Sequence, residues 1–530
     1  MSTLAISSLR RLALLPRRVV SIRSSSSCMS SSDEDPFDIL IVGGGPVGSA
    51  LAARLAAAWA APHPLPSSRR RTDLRIGLVG ASPPPDPLDA VLNGPSVDIR
   101  NYALSPHTLR ILGRCAPSPG GGPLERILGS GRVGAYRGMQ VWDGEGPGCL
   151  SFCADDLPPP RSDDAAIAGG RALGVCVEEG VLVGALWDEL GQYDTADVTL
   201  RGSCRVVAVD RPVDDPSHVS VTVSSGNADG DTSTSRLRTS LLVAADGGRS
   251  AVRSLLDMPP SEAHNYGRVA VVASLSVAEG FDVAHQRFLP QTGGPAALLP
   301  LRPGRAGLVW SCLPEYAERL RSLPDAEFVA LLNDTFSRPP RIDLPSLSDV
   351  VPLPLRFAAH ETERLLRAVG EGMALNSLSS SAKLGPAAFV RPPAVTAVDA
   401  RASFPLSQAQ APAYVDGRVA LVGDAAHTVH PLAGQGLNLG FADVDCLADC
   451  VSANVQAGMD IADSSRLEDY GRRRRIDVGI TQAGIRVIHD AFDGVDAGRV
   501  WGRTAGMDLV NGLGPLRRQV VAAAVEGGIF

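Results

Sequence analysis

Phe37-Asp38-Ile39-Leu40-Ile41-Val42-Gly43-Gly44-Gly45-Pro46-Val47-Gly48-Ser49 decides the reading of this chain. An apolar run with β-branched residues ends in a glycine turn and passes into an alanine-rich stretch, so strand, turn and helix follow one another. Gly43-x-Gly45-x-x-Gly48 has dinucleotide spacing. Gly43 permits the tight turn, Gly45 lets backbone approach a pyrophosphate, and Gly48 allows close helix–strand packing. The pyrophosphate then sits at the positive end of the helix. One element of this pattern is missing. A second strand is expected over residues 74–79, and the carboxylate that should follow it to bond the ribose falls on Gly80. Ser82, Asp86 and Asp89 are the neighbouring candidates, and the sequence does not choose among them.

Two later segments repeat the logic of a strand delivering a polar turn. Leu241-Leu242-Val243-Ala244-Ala245-Asp246-Gly247 leads into a helix opened by Ser250. Taken alone, it reads equally as an ordinary Asp-Gly turn with a serine cap. Val419-Ala420-Leu421-Val422-Gly423-Asp424 presents a carboxylate suited to ribityl hydroxyls. The turn Gly434-Gln435-Gly436-Leu437-Asn438 then opens a long helix. Backbone N–H groups of Leu437 and Asn438 suit a flavin carbonyl, and the helix dipole favours an anionic reduced ring. His427 and His430 stand three residues apart without a third ligand, which reads as structural; no metal is expected.

Working outward, 530 residues allow two or three cores, and 44 % hydrophobic with 20 % charged residues is a globular composition. A net charge of −7 offers no basic surplus for nucleic acid. Nine scattered cysteines lack zinc spacing and suit free thiols in a reducing compartment. No apolar run reaches the length needed to cross a bilayer. Residues 1–32 hold Arg10, Arg11, Arg17, Arg18 and Arg23, many serines and no acid. That composition predicts a transit peptide, whose removal takes five positive charges and shifts the net from −7 to −12. Short alternating bursts over 204–243 predict antiparallel strands, a second strand-rich block spans 269–310, and helices are expected at 325–336 and from Asn438 onward. Residues 117–122 and 157–170 read as loop insertions.

Three such motifs in this order resemble the class A flavoprotein aromatic hydroxylases. Further segments narrow the likeness. Asp98-Ile99-Arg100-Asn101-Tyr102-Ala103-Leu104-Ser105, Arg137-Gly138-Met139-Gln140-Val141-Trp142-Asp143, Gln286-Arg287-Phe288-Leu289-Pro290, Gly294-Pro295-Ala296-Ala297-Leu298-Leu299-Pro300-Leu301, Val309-Trp310-Ser311 and 430–436 are similar to the mitochondrial ubiquinone (coenzyme Q) biosynthesis FAD-dependent monooxygenases. The match spans about 38–516. It departs at Gly80 and at Glu178-Glu179, where the family carries a Glu-Asn pair.

The resemblance implies an α/β fold: a Rossmann-like FAD-binding domain of the p-hydroxybenzoate-hydroxylase and glutathione-reductase type, an interleaved mixed and antiparallel substrate sheet, and C-terminal helices. The expected division is 36–136, 173–258 and 401–455 for FAD, 137–172 and 259–400 for substrate, and 456–530 helical. Implied FAD contacts are Gly43, Gly45, Gly48, Arg100, Asp246, Gly247, Asp424, Gly434, Gly436, Leu437 and Asn438. Arg287, Phe288, Leu299 and Trp310 are the substrate candidates, with Pro431 shaping the cavity. No acid–base residue is expected, because the flavin carries the chemistry through a C4a-hydroperoxide. The implied reaction uses O2 to hydroxylate a polyprenylated phenol or benzoate, at ring carbon 5. The implied place is the matrix side of the inner membrane, peripherally, beside other quinone-biosynthesis proteins. No second dinucleotide fingerprint follows a strand, which leaves no dedicated NADPH domain, and the resemblance to the mitochondrial branch implies ferredoxin with its reductase as donor, ahead of NADPH. The competing readings are an NADPH-fed hydroxylase of another small phenol and a non-catalytic FAD-binding scaffold subunit.

Overall fold

Around the glycine turn the chain builds an eight-stranded sheet. Asp35–Val42 lies centrally, parallel to Ile76–Val79 on one side and Thr232–Ala244 on the other. Val198–Arg201 and Val419–Leu421 extend the parallel set outward. Cys204–Asp210 and Val219–Gly226 join Thr232–Ala244 antiparallel, as the alternation over 204–243 predicts. A strand covered on both faces needs consecutive rather than alternating apolar residues, and Ile39, Leu40 and Ile41 are all fully buried. The helix Pro46–Ala60 follows the turn. Its buried Ala50, Ala52, Ala53 and Ala56 are small enough for close approach to the helices Glu179–Leu190 and Gln435–Gln456.

This computed structural model describes residues 35–60, 74–94, 98–117, 121–157, 171–193, 197–226, 232–338, 389–430 and 434–525. The expected transit peptide, residues 118–120 and 158–170 of the two loop insertions, and Pro431 lie outside them.

A second eight-stranded sheet runs in the order His427–Thr428, Val395–Gln410, Glu262–Val277, Arg305–Cys312, Gly294–Pro300, Val283–Leu289, Gly138–Asp143, Cys149–Cys153. It is antiparallel except where Val283–Leu289 meets Gly138–Asp143. The expected division at 400/401 is corrected: Val395–Gln410 is one strand, paired with Glu262–Val277 along its length. Pro405 obscures this in the sequence, since proline is excluded from central strands. On the far side only Ala409 and Gln410 pair onward, so Pro405 stands at an edge. A small sheet of Asn101–Leu104, Gly174–Glu178 and Val133–Tyr136 bridges the two large ones in sequence.

The predicted helix at 325–336 is present as Asp325–Ser337, and three helices end the chain: Ser464–Phe492, Ala497–Gly512 and Gly514–Val525. Arginines latch the last two to the second sheet. Arg503 makes two bonds to buried Asp143, 2.6 and 3.1 Å, and Arg517 reaches Asp156 at 2.9 Å.

Candidate cofactor and substrate site

The fingerprint glycines behave as their spacing requires. Gly43 has φ +126°, and a Cβ there would stand 2.1 Å from the Ala245 carbonyl oxygen. A Cβ on Gly48 would lie 1.9 Å from the Gly43 oxygen. At Gly45, by contrast, a Cβ would meet nothing within 4 Å, so the turn presents bare backbone to an open cradle. Trp187 fixes the turn from behind, its indole N–H donating to Ser49 Oγ at 2.9 Å and the Gly44 carbonyl at 3.3 Å. A Cβ on Gly80 would lie 3.5 Å from the Gly44 nitrogen, so the position where a carboxylate was expected faces the glycine turn's backbone.

Asp424 stands where the two large sheets meet. It follows Val419–Leu421 of the first sheet and precedes His427–Thr428 of the second. Gly423 (φ +58°) packs against Val47 of the fingerprint helix, which brings the Asp424 turn to the Gly45 cradle. The Asp424 carboxylate is open to solvent within a recess. The surrounding protein raises its pKa, while the His427 and Arg100 charges oppose the rise. Arg100 is itself largely exposed, 3.6 Å from Glu179.

Under the turn lies a buried polar network that the sequence reading missed. Asp443 Oδ2 accepts from the Gly423 N–H at 2.9 Å and meets His427 Nε2 at 2.6 Å; its Oδ1 accepts from Arg474 Nε at 2.7 Å. Burial alone would raise Asp443, but His427 and Arg474 outweigh it and hold the carboxyl below its ordinary range. Asp443 falls about two helical turns beyond the glycine turn and Arg474 sits in an arginine run on another helix. Neither position carries a local motif. His427 is held by Asp443, and His430 is buried beside Tyr266. Among the described residues no cluster has metal-ligand character.

At the start of Gln435–Gln456, Gly434 (φ +61°) forms the entry turn and no side chain caps the first N–H groups. Asn438 spends its whole side chain on protein. Oδ1 accepts from the Ser105 N–H (2.9 Å) and the Thr108 hydroxyl (2.7 Å), and Nδ2 donates to the Ala103 (2.9 Å) and Gly434 (3.0 Å) carbonyls. Only its backbone, with that of Leu437, remains for a ligand. Asn438→Ala should cost about 1–3 kcal/mol, because buried Ser105 and Ala103 backbone groups lose their partners. Chemical denaturation of apoprotein would read this; an unchanged midpoint and slope would refute the staple.

Asp246 caps a helix. Its Oδ2 accepts from the Ala251 (2.7 Å) and Val252 (3.2 Å) N–H groups, and its Oδ1 is buried without a hydrogen bond among the described residues. A hydroxyl donor is what that oxygen lacks. Gly247 has φ +86°, and Gly248 packs on Thr428, with Arg253 Nη1 donating to the Ala425 carbonyl at 3.1 Å. The Asp-Gly turn thus backs the Asp424 turn. The open Gly45 cradle, the recessed Asp424 carboxylate and the uncapped Gln435 helix start together fit FAD.

A family model described as "FAD binding domain" matches residues 379–479, which include Asp424 and the 434–438 turn. The chain is 31 % identical over 507 residues to the Xenopus tropicalis ubiquinone biosynthesis monooxygenase COQ6, mitochondrial, covering 95 % of this chain and 96 % of that protein. The Saccharomyces cerevisiae protein of the same name is 30 % identical, covering 96 % and 97 %. This chain belongs to that monooxygenase family. It is an FAD-dependent monooxygenase, an oxidoreductase. The solved p-nitrophenol 4-monooxygenase PnpA from Pseudomonas putida DLL-E4 shares the fold, with TM-score 0.62 at 18 % identity, over 93 % of this chain and 99 % of that one. PqsL of Pseudomonas aeruginosa does so at TM-score 0.55 and 20 % identity, over 88 % and 99 %.

Within this monooxygenase the period-two alternation of the second sheet separates the four substrate candidates. Trp310 lies opposite Ala296 and Val271, and Arg287 also pairs with Ala296. That face is covered by the helices Pro314–Ser322 and Asp325–Ser337. Trp310 is core there. Arg287 Nη1 donates to the Thr335 carbonyl and, at 3.0 Å, to the Arg338 carbonyl, a cation at a helix C-terminus. Both are corrected to structural positions; the 286–310 segment gave no sign of which face each would take. Phe288 and Leu299 lie on the opposite face. Phe288 stacks on Phe492 with centroids 3.8 Å apart and clusters with Val141, Ile485 and Met507, against which Val429 also packs. A Cβ on Gly436 would lie 3.6 Å from Val429, so this face adjoins the flavin-facing turn.

Proposed function

We propose that this monooxygenase hydroxylates the ring of a polyprenylated phenol or benzoate precursor of ubiquinone, at ring carbon 5, peripherally on the matrix side of the mitochondrial inner membrane. End-to-end likeness to the ubiquinone-biosynthesis monooxygenases carries this reading. Bound FAD supplies oxygen activation, and the chain's residues do the positioning. Gly43 to Gly48 and Arg100 take the diphosphate, Asp424 the ribityl hydroxyls, and the Leu437 and Asn438 N–H groups the flavin carbonyl. Asp246 Oδ1 and Gly247 complete the wall. Phe288 and Leu299 offer an apolar face for a flat ring and exclude water beside the turn. In this reading 36–136, 173–258 and 411–455 form the cofactor domain, and 137–172 with 259–410 the substrate domain. Among the described residues no helix is long and apolar enough to cross a membrane.

Electrons reach FAD from ferredoxin and its reductase. NADPH alone should bleach the flavin band slowly in stopped flow, and ferredoxin with reductase should do so rapidly. With the prenylated phenol present, oxygen uptake should yield a product heavier by one oxygen atom. Folded, yellow protein that consumes no oxygen under these conditions would favour the scaffold reading instead.

A further inference from the structure

The Glu179 position, where the family likeness breaks, lies at the mouth of the cofactor cleft. Glu179 opens the helix Glu179–Leu190 and faces Arg100 at 3.6 Å. Among the described residues it is the one carboxylate within salt-bridge distance of that guanidinium. Tyr102 lies within electrostatic reach of the same carboxylate. Asp98 approaches from the segment before Asn101–Leu104, its Oδ2 accepting from the Gly180 N–H at 2.6 Å. Asp424 lies within electrostatic reach of both Arg100 and Tyr102. The neighbouring Glu178 is neutralised separately by buried Arg132, at 2.5 and 3.1 Å, and the helix Leu88–Asn93 presents apolar Val91 here. Glu125, Arg126 and Glu189 belong to the far end of the Glu179 helix. Glu179 and Asp424 therefore share Arg100, and Asp98 adds a further negative charge beside Glu179.

A bound diphosphate adds two further negative charges beside this group. We propose that Glu179 is a positioning residue which, as a carboxylate, holds Arg100 away from the diphosphate, and that FAD binding transfers Arg100 to the phosphates while Glu179 takes up a proton from solvent. The inference rests on the cofactor reading above. Burial and Asp98 already push the Glu179 carboxyl upward against the pull of Arg100. Loss of Arg100 to a competing anion removes the largest effect holding the proton off. Protonated Glu179 then stands beside Asp424 and the phosphates without repelling them. By linkage, affinity for FAD must fall as pH rises wherever binding takes up a proton.

The test is FAD titration of full-length apoprotein by fluorescence quenching between pH 6 and 8, with calorimetry in buffers of different ionisation enthalpy to count protons. Wild-type affinity should fall roughly tenfold across that range, with net proton uptake. Glu179→Gln mimics the protonated form. It should bind FAD severalfold tighter than wild type at pH 8, with a flat pH profile and no proton uptake. Arg100→Ala should weaken binding throughout and flatten the profile. A Glu179→Gln protein that keeps the wild-type slope, or binds more weakly at pH 8, overturns the proposal. Wild-type protein that binds no FAD at any pH overturns the cofactor reading and this one with it.

Discussion

Asp443→Ala should destabilise the folded protein by about 3 kcal/mol, because buried Arg474 loses one of its two carboxylate partners and keeps only Asp477 at 2.9 Å. Arg474 is 5 % exposed and Asp443 fully buried, so water cannot replace the lost carboxylate. The same change frees His427 and the Gly423 N–H, which together fix the Asp424 turn. FAD affinity should therefore fall with stability, although Asp443 touches no part of the cleft surface. Denaturant unfolding of the apoprotein measures the first effect; a midpoint within error of wild type would remove the network from the account.

The network also sets an acid limit. Asp443 is held below the ordinary carboxylate range, so its contribution is present above the unfolded value and is lost only as pH falls through the lowered one. His285 and His430 act earlier. Burial pushes both imidazoles down to about 4, so the folded protein keeps them neutral. Their contribution is complete above about pH 6.5 and is lost progressively as pH falls towards 4, where the unfolded chain takes up protons and the folded one does not. The melting temperature should decline across that window, above the range in which Asp443 titrates.

Asp424→Ala is the second large effect. A charged acceptor to cofactor hydroxyls is worth about 1.5–3 kcal/mol, a loss of roughly ten- to 150-fold in FAD affinity. Because the carboxylate is solvent-open, folding should be spared, and apoprotein stability should match wild type. His430→Ala should show the reverse pattern, with the larger change in stability. Equal FAD affinity for Asp424→Ala and wild type, by quenching titration, would remove Asp424 from the cofactor site.

Local chemistry made much of this protein legible without coordinates. Gly43 and Gly48 announce a turn because no other residue tolerates their contacts, and consecutive apolar residues at 39–41 announce a strand buried on both faces. The turns at Asp246, Asp424 and Gly434 are legible for the same reason: each is encoded within a few consecutive residues. Matching motifs spread from residue 38 to 516 then carried the family.

Tertiary structure alone decided what depends on partners far apart in the chain. Asp443 and Arg474 lie on different helices and converge beneath Asp424 only when those helices pack. Arg287 and Phe288 are neighbours in sequence, yet a pleated strand sends them to opposite faces, one to a helix end and one towards the flavin-facing turn. Asn438, read as a cofactor contact, proved to spend its side chain on the 103–108 segment. Glu179 was visible as a departure, but its meaning required Arg100, Tyr102 and Asp424 in place around it. Backbone-dictated turns are written locally; the charge balance of a cleft exists only after folding has brought the charges together.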